Sequence, residues 1–425
     1  MTVATETDVL IVGGGPAGAL LGTLLARRGI DVLVVERQTS FDREFRGETL
    51  AAPSVVALRR LGFGPALDAH GFLETEAVTM RMEGRDVLHV DYRRFPIGTL
   101  PIDIPQPSLI GIFHEAALDL PSFAYASGTA FSELIIEDGT VLGAVLKEPD
   151  GTRAEVRARL VVGADGRFSK VRRAAGLEAD VKPMARDFLS FKLPRPAGWK
   201  QEAELIADGE RHIMVLPTFP DLLRIGHNLP KRGLTDLRRA GFESFRDGIA
   251  ALDPRLAPLL REHLTSWDDT SFLEIFTAEL DRWTRDGLVL IGDASHTCTP
   301  ILGQGVNVAL QDAVVLTPVI AAALAESQGP VRERQLAGFV ETRRTHKRFV
   351  TKFQRMQEAA LAMDSPAERV RRRIRYWLLD KLPVKYRLFD RVINAQHEID
   401  PLDLDLARTA EATAGRRVAA AQARG

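Results

Sequence analysis

Residues 292–312 read GDASHTCTPILGQGVNVALQD and follow an apolar run, Leu288 to Ile291, with the make-up of a buried strand. A carboxylate directly past a strand, Asp293, is placed to accept hydrogen bonds from the hydroxyls of a ligand. Gly292 lets the chain turn there, and Pro300, Gly303, Gln304 and Gly305 make a second turn. Glycines in such a turn let backbone N–H groups approach a flat group closely. Val306 and Asn307 open a helix, whose N-terminal partial positive charge favours an anion. The residue types describe backbone wrapped around a ligand.

Two further turns share this texture. Gly13, Gly15 and Gly18, with Pro16 and Ala17 between them, have G-x-G-x-x-G spacing. Such glycines permit a tight turn, close approach to a pyrophosphate and close helix packing. Glu36, followed by Arg37, ends the next apolar run and is placed to accept from a ribose. Asp165 and Gly166 close a third run, Leu160 to Gly163, with Arg167 and Arg172 nearby.

The elements that must position these turns are legible. Residues 7–36 form a strand, a helix and a second parallel strand, with Gly29 stopping the helix. In an open parallel sheet, ligands sit beyond the carboxyl ends of the strands, so three such turns converge on one long ligand. Between them the texture alternates, as in Arg211 to Leu216 and Leu222 to Ile225, with prolines as punctuation. This predicts an α/β chain: a Rossmann-like dinucleotide-binding domain with an inserted, mostly antiparallel substrate sheet and a C-terminal helical region. The expected bounds are 1–75, 101–179 and 281–345 for the nucleotide domain. The substrate sheet is expected over 76–100 and 180–280, and helices with a frayed tail over 346–425.

The three signatures, in this order and spacing, resemble those of the class A FAD-dependent monooxygenases, the p-hydroxybenzoate hydroxylase-like aromatic hydroxylases. They frame about the first 320 residues. The resemblance implies noncovalent FAD, with the Asp293 carboxylate on the ribityl hydroxyls and the Pro300 to Asn307 segment along the flavin ring. It implies NADPH or NADH as a transient reductant, with no second dinucleotide domain. It also implies an oxygen atom passed from O₂, through a C4a-hydroperoxyflavin, to an electron-rich aromatic or heteroaromatic substrate in secondary metabolism. Arg46 matches an arginine near the flavin and its phosphates, and Glu48 either supports it or faces the pocket. Where the family carries Arg or Gln on a helix before the Asp-Gly turn, this chain has Ile110, with His114 one turn on as a substitute. His212, Arg224 and His227 on the substrate sheet are candidates for a base or an anion partner. His296 and Cys298 are expected to be structural rather than flavin-linked.

Alternatives are a FAD-dependent reductase of an isoprenoid or quinone-like substrate, and a redox-inactive flavin-binding pathway partner. A flavin halogenase would carry a Trp-x-Trp-x-Ile-Pro signature, and the four tryptophans here are isolated.

Composition bounds the rest. The chain has 425 residues, 45% of them hydrophobic and 27% charged, so a large core can form. A net charge of -1 argues against nucleic acid as a partner. One cysteine excludes an intramolecular disulfide and an all-cysteine zinc site, and no metal site is expected. MTVATETD lacks a signal-peptide pattern, and no uninterrupted apolar run approaches a spanning length, so the expectation is cytoplasmic. Arginines at 369, 371, 372, 373 and 375 precede Tyr376, Trp377, Leu378 and Leu379. That stretch reads as a helix packed on the nucleotide domain, or more sharply as a weak membrane-surface contact.

Overall fold

The computed structural model describes residues 5–41, 48–362 and 365–393. Arg46 and the tail beyond residue 393 lie outside them. In chain order the elements that position the site are β1 (Glu6–Val12), α1 (Pro16–Arg27), β2 (Val32–Glu36), β3 (Ala77–Met82), β4 (Arg85–Asp91), β5 (Phe123–Ser127) and β6 (Arg153–Gly163). There follow β7 (Arg186–Pro194), β8 (Glu202–Asp208), β9 (Arg211–Thr218), β10 (Leu222–Pro230), α2 (Phe242–Leu252) and β11 (Leu288–Leu290). The chain then becomes helical: α3 (Gln304–Glu326), α4 (Ala337–Ala362), α5 (Pro366–Lys381) and α6 (Val384–Ile393).

The first sheet runs β11-β6-β1-β2-β5 with every one of these neighbours parallel. Parallel strands covered on both faces read as continuous apolar runs, and Val9 to Val12 and Val32 to Val35 are all buried. Pro16 opens α1, where its missing N–H costs nothing, and Gly29 ends it at φ +77°. α1 packs against α3, and both sit over this sheet. By length and composition alone α3 could cross a bilayer, but 61% of its apolar stretch is buried inside the fold. Small polar residues interrupt its apolar run without making it hydrophilic. Val308, Leu310, Leu316 and Ile320 are buried in the core.

The second sheet has seven strands and includes β7-β10-β9-β8-β3-β4 in that order, antiparallel except for β8 beside β3. One face packs on α2 and the helix Ala257–His263 through Ile213, Val215, Leu223, Ile225 and Phe245. The other faces the cavity described below. α4 is one unbroken helix across residue 346, so the expected bound there falls inside an element. α5 packs on β4, at the edge of the substrate sheet, rather than on the nucleotide domain.

Candidate active site

One cavity of about 730 Å³ joins the three glycine turns to the open face of the second sheet. Its nucleotide side is lined by Gly13, Gly15, Pro16, Ala17, Glu36, Arg37, Asp165, Gly166, Gly292 and Asp293. Gly18 does not line it: a Cβ there would lie 1.9 Å from the Gly13 carbonyl, so this glycine serves the packing of α1. A Cβ on Gly13 would lie 2.4 Å from the Ala164 carbonyl, which binds the first turn tightly to the Asp165 turn. The Glu36 carboxylate accepts from the Gly14 and Gln38 amides at 3.0 and 3.1 Å.

Asp165 lines the cavity and also braces the helix that follows it. Its carboxylate accepts from Ser169 Oγ at 2.5 Å and from the amides of Lys170 and Val171 at 2.6 and 3.1 Å. It caps the short helix Lys170–Ala174 and shapes the turn. Asp293 differs: one oxygen receives Arg167 Nε at 3.4 Å, and the other has no hydrogen bond among the described residues. Behind it, the Gly292 amide donates to the sealed Asp312 carboxylate at 2.9 Å.

Pro300, Gly303, Gln304, Gly305, Val306 and Asn307 all line the cavity. Leu302 and Gly303 both take left-handed φ angles, +62° and +60°. A Cβ on Gly305 would stand in open space. Gln304 is buried, donates to the Leu302 carbonyl at 3.0 Å, and leaves Oε1 without a partner among the described residues. Asn307 is a positioning residue. Its Oδ1 accepts from the Ala51 amide at 2.8 Å, and its Nδ2 donates to the carbonyls of Thr49 and Gly303 at 3.1 and 2.8 Å.

These observations fit FAD. The first turn admits a pyrophosphate, Glu36 and Asp293 offer carboxylate oxygens to sugar-type hydroxyls, and the Gly303 to Asn307 turn presents open backbone and an orphaned amide oxygen. Cys298 lines the cavity, but burial pushes its thiol up to about 12, so no thiolate is on hand for a covalent link. His296 pairs with Thr351 at 2.9 Å and is pushed down to about 3 by burial and by Lys347. Among the described residues no cluster of potential metal ligands occurs.

The three sheet candidates separate. His212, with Met214 and Leu216, faces the cavity, as does Arg224. His227 does not. It pairs with Ile213 in register, so strand alternation turns it to the other face, where its ring lies 5.7 Å from Phe245. Its place in the packing rather than in the cavity corrects the sequence expectation. His212 is pushed down to about 3, first by burial and then by the charges of Arg186, its neighbour His227 and Arg372. It is therefore a neutral imidazole, and its ring has no hydrogen bond among the described residues. Arg224 donates to Glu48 at 2.6 Å and to Asp103 at 3.0 Å, and Lys192 reaches the other Glu48 oxygen at 3.1 Å. Burial raises Asp103 to about 6, with Arg224 opposing and Glu48 assisting.

Ile110 lies in the core, and His114 packs among Phe41, Phe123 and Tyr125. The polar residue this helix gives the cavity is Gln106, at its first turn. Pro107, at the second helical position, is the helix-start signal that marks the position. Also unforeseen are Phe353, Gln357, Tyr376, Leu379 and Phe389, by which the C-terminal helices wall the chamber.

The family described as FAD binding domain matches residues 6–354. The 6-methylpretetramide 4-monooxygenase of Streptomyces rimosus is 36% identical over 357 residues, 83% of this chain and 84% of that protein. A kynurenine 3-monooxygenase of Salinispora tropica is 30% identical, over 80% of this chain and 76% of its own length. In fold, the chain is similar to the crystal structure of PqsL from Pseudomonas aeruginosa, with a TM-score of 0.75 at 23% identity, covering 88% of this chain and 99% of that one.

Proposed function

The chain belongs to the FAD-binding-domain family of FAD-dependent aromatic monooxygenases, and from that premise we propose that it hydroxylates a multi-ring aromatic substrate in secondary metabolism. The balanced reaction takes substrate, O₂, NAD(P)H and a proton to hydroxylated substrate, water and NAD(P)⁺. The observation that carries this reading is the single cavity joining the dinucleotide turns to an apolar sheet face. The similarity to an enzyme named for 6-methylpretetramide supports the multi-ring class.

Bound FAD supplies the chemistry of accepting a hydride and activating O₂. This chain's residues do the rest. Glu36, Asp293 and the Gly303 to Asn307 backbone hold the cofactor. Phe188, Leu205, Met214 and Leu216 give the substrate an apolar floor and exclude water. Arg224, fixed by two carboxylates, sets a positive charge beside that floor, where it favours an ionised phenol. His212 offers a neutral hydrogen-bonding ring. NADH or NADPH serves as transient reductant, and the cytoplasm is where either is plentiful.

The test is NAD(P)H oxidation with a panel of phenols and polycyclic hydroxyquinones. Oxidation that accelerates with substrate and yields a product one oxygen heavier is expected. Reduction of a double bond without oxygen uptake would favour the isoprenoid-type reductase. No stimulation by any substrate would favour a redox-inactive flavin-binding partner.

One observation favours a second, additive reading. Val370, Ile374, Trp377 and Leu378 form a half-exposed stripe at helical spacing on α5, flanked by arginines. Such a face supports weak contact with an anionic membrane surface. Co-sedimentation with phosphatidylserine vesicles at low salt and release at high salt are expected. Protein that stays in the supernatant at low salt would remove this reading.

A further inference from the structure

The floor of the chamber has polar residues at two places. On β9, His212 and Leu216 stand four residues apart on the same face, and Leu216 pairs with Arg224. At a strand rise of ~3.3 Å per residue, the two polar places are ~13 Å apart, with Met214 and Leu216 along the stretch between. The Arg224 end lies against the glycine turn, because its partner Glu48 adjoins Thr49, whose Cβ is 3.7 Å from where a Cβ on Gly303 would be.

The other end is built from three elements. His212 pairs with Ala207 in register, and Ala207 packs with Tyr376 of α5. The Tyr376 hydroxyl donates to Gln357 Oε1 on α4 at 3.1 Å, and both residues line the cavity. Gln357 then has its two amide hydrogens without a partner among the described residues, and the Tyr376 oxygen keeps its acceptor capacity. The buried ring of His212, which lines the same cavity, has no hydrogen bond among the described residues. α5 is held in this place by Arg372, which donates to the Gly209 carbonyl in the β8–β9 hairpin at 3.4 Å. Gln357 and Tyr376 lie beyond residue 354, where the family match ends.

Three groups able to donate and accept, at the end of an apolar slot away from Arg224, need a ligand with an oxygen-bearing edge there. We propose that Gln357, Tyr376 and His212 are specificity-determining residues that bind the remote carbonyl or hydroxyl edge of a multi-ring substrate. The proposal rests on the multi-ring reading above. A single-ring phenol held near Arg224 is too short to reach them.

The experiment uses the full-length, FAD-loaded protein with two probes: alizarin, a three-ring hydroxyquinone, and salicylate, a single ring. Equilibrium titration should show tighter binding of alizarin by the wild type. Gln357→Leu and His212→Leu should each weaken alizarin roughly tenfold, the size of one lost hydrogen bond in a buried site. Tyr376→Phe, which keeps the packing ring, should weaken it less. Salicylate affinity and FAD content should stay within twofold of wild type in all three. Alizarin affinity unchanged in all three variants would overturn the assignment while leaving the substrate class standing. Equal loss of both probes would also overturn it, since the residues would then serve the fold and not selectivity. A wild type that binds salicylate as tightly as alizarin, or binds neither, would overturn the multi-ring reading and this inference together.

Discussion

Two buried charge clusters flank the cavity, and they are built in different proportions. Behind the third turn, one carboxylate, Asp312, receives Arg343 Nε at 2.8 Å and Lys347 Nζ at 2.7 Å, and all three side chains are essentially sealed from solvent. Facing the substrate, two carboxylates, Glu48 and Asp103, share one Arg224 nitrogen, and the fourth member, Lys192, is 39% exposed. Burial raises the Asp312 pKa, but the two cations more than offset it and hold it below the ordinary carboxylate range. Asp103 is lifted to about 6 by the same burial with one shared cation and a second carboxylate near it. The excess of cations holds the Asp312 carboxylate ionised against its burial. Here two carboxylates share one buried cation, with Lys192 partly exposed, and Asp103 is left able to titrate. The fixed cluster holds the Gly292 turn, and the titrating one faces the reaction space.

The largest expected effect breaks the scaffold. Asp312→Asn leaves Arg343 and Lys347 buried without a counter-charge, a situation that costs about 3–5 kcal/mol. Chemical denaturation should show a loss of this size together with reduced FAD retention, because the Gly292 amide, Arg343 and Lys347 are left with one amide oxygen where a carboxylate offered two. A variant within 1 kcal/mol of wild type would mean that the cluster is not what fixes the turn.

The second effect sharpens the contrast. The folded-state pKa of Asp103 is raised, so its protonated form is favoured by folding. Its contribution is present below about pH 4 and lost as pH rises through about 6. Asp103→Asn mimics the protonated side chain. Relative to wild type it should therefore gain stability between pH 4 and 7, by roughly 3 kcal/mol at one pKa unit per 1.36 kcal/mol. Denaturation midpoints of the two proteins across that range check it. A difference independent of pH would mean Asp103 stays ionised throughout.

The two regions were not equally legible in the sequence. Glycine spacing, terminal acids and short apolar strands are local signals, so the turns that line the nucleotide side of the cavity could be picked out from the sequence. Asp312 and the Arg343–Lys347 pair could not, because 31 and 35 residues separate the partners and each looks like an ordinary helical charge. His212 and His227 look equivalent in sequence. Only the register of β9 with β10, which pairs Ile213 with His227, sends them to opposite faces. Gln357 and Tyr376 carry no motif. Their place in the wall follows from how α4 and α5 return over the sheet, a tertiary decision that periodicity alone does not reveal.

The smallest effect concerns the cofactor side directly. Asp293→Ala removes a carboxylate with one oxygen open to the cavity, and FAD affinity should fall by about 1–3 kcal/mol. Fluorescence titration of the apoprotein with FAD measures it. Because the Gly292 amide and the Asp312 cluster remain in place, thermal stability of the apoprotein should change little. Unchanged FAD affinity would place Asp293 outside the cofactor's contacts.

The central claim is that this cavity directs one atom of O₂ into an aromatic substrate. Incubating the FAD-loaded protein with NAD(P)H, a multi-ring hydroxyquinone and isotopically heavy O₂ tests it most directly, with the product read by mass spectrometry. One heavy oxygen atom in each hydroxylated product, and none when the heavy label is carried by water instead, is the predicted result. Product without the heavy atom, or NAD(P)H consumed with only hydrogen peroxide formed across the whole substrate panel, would contradict it.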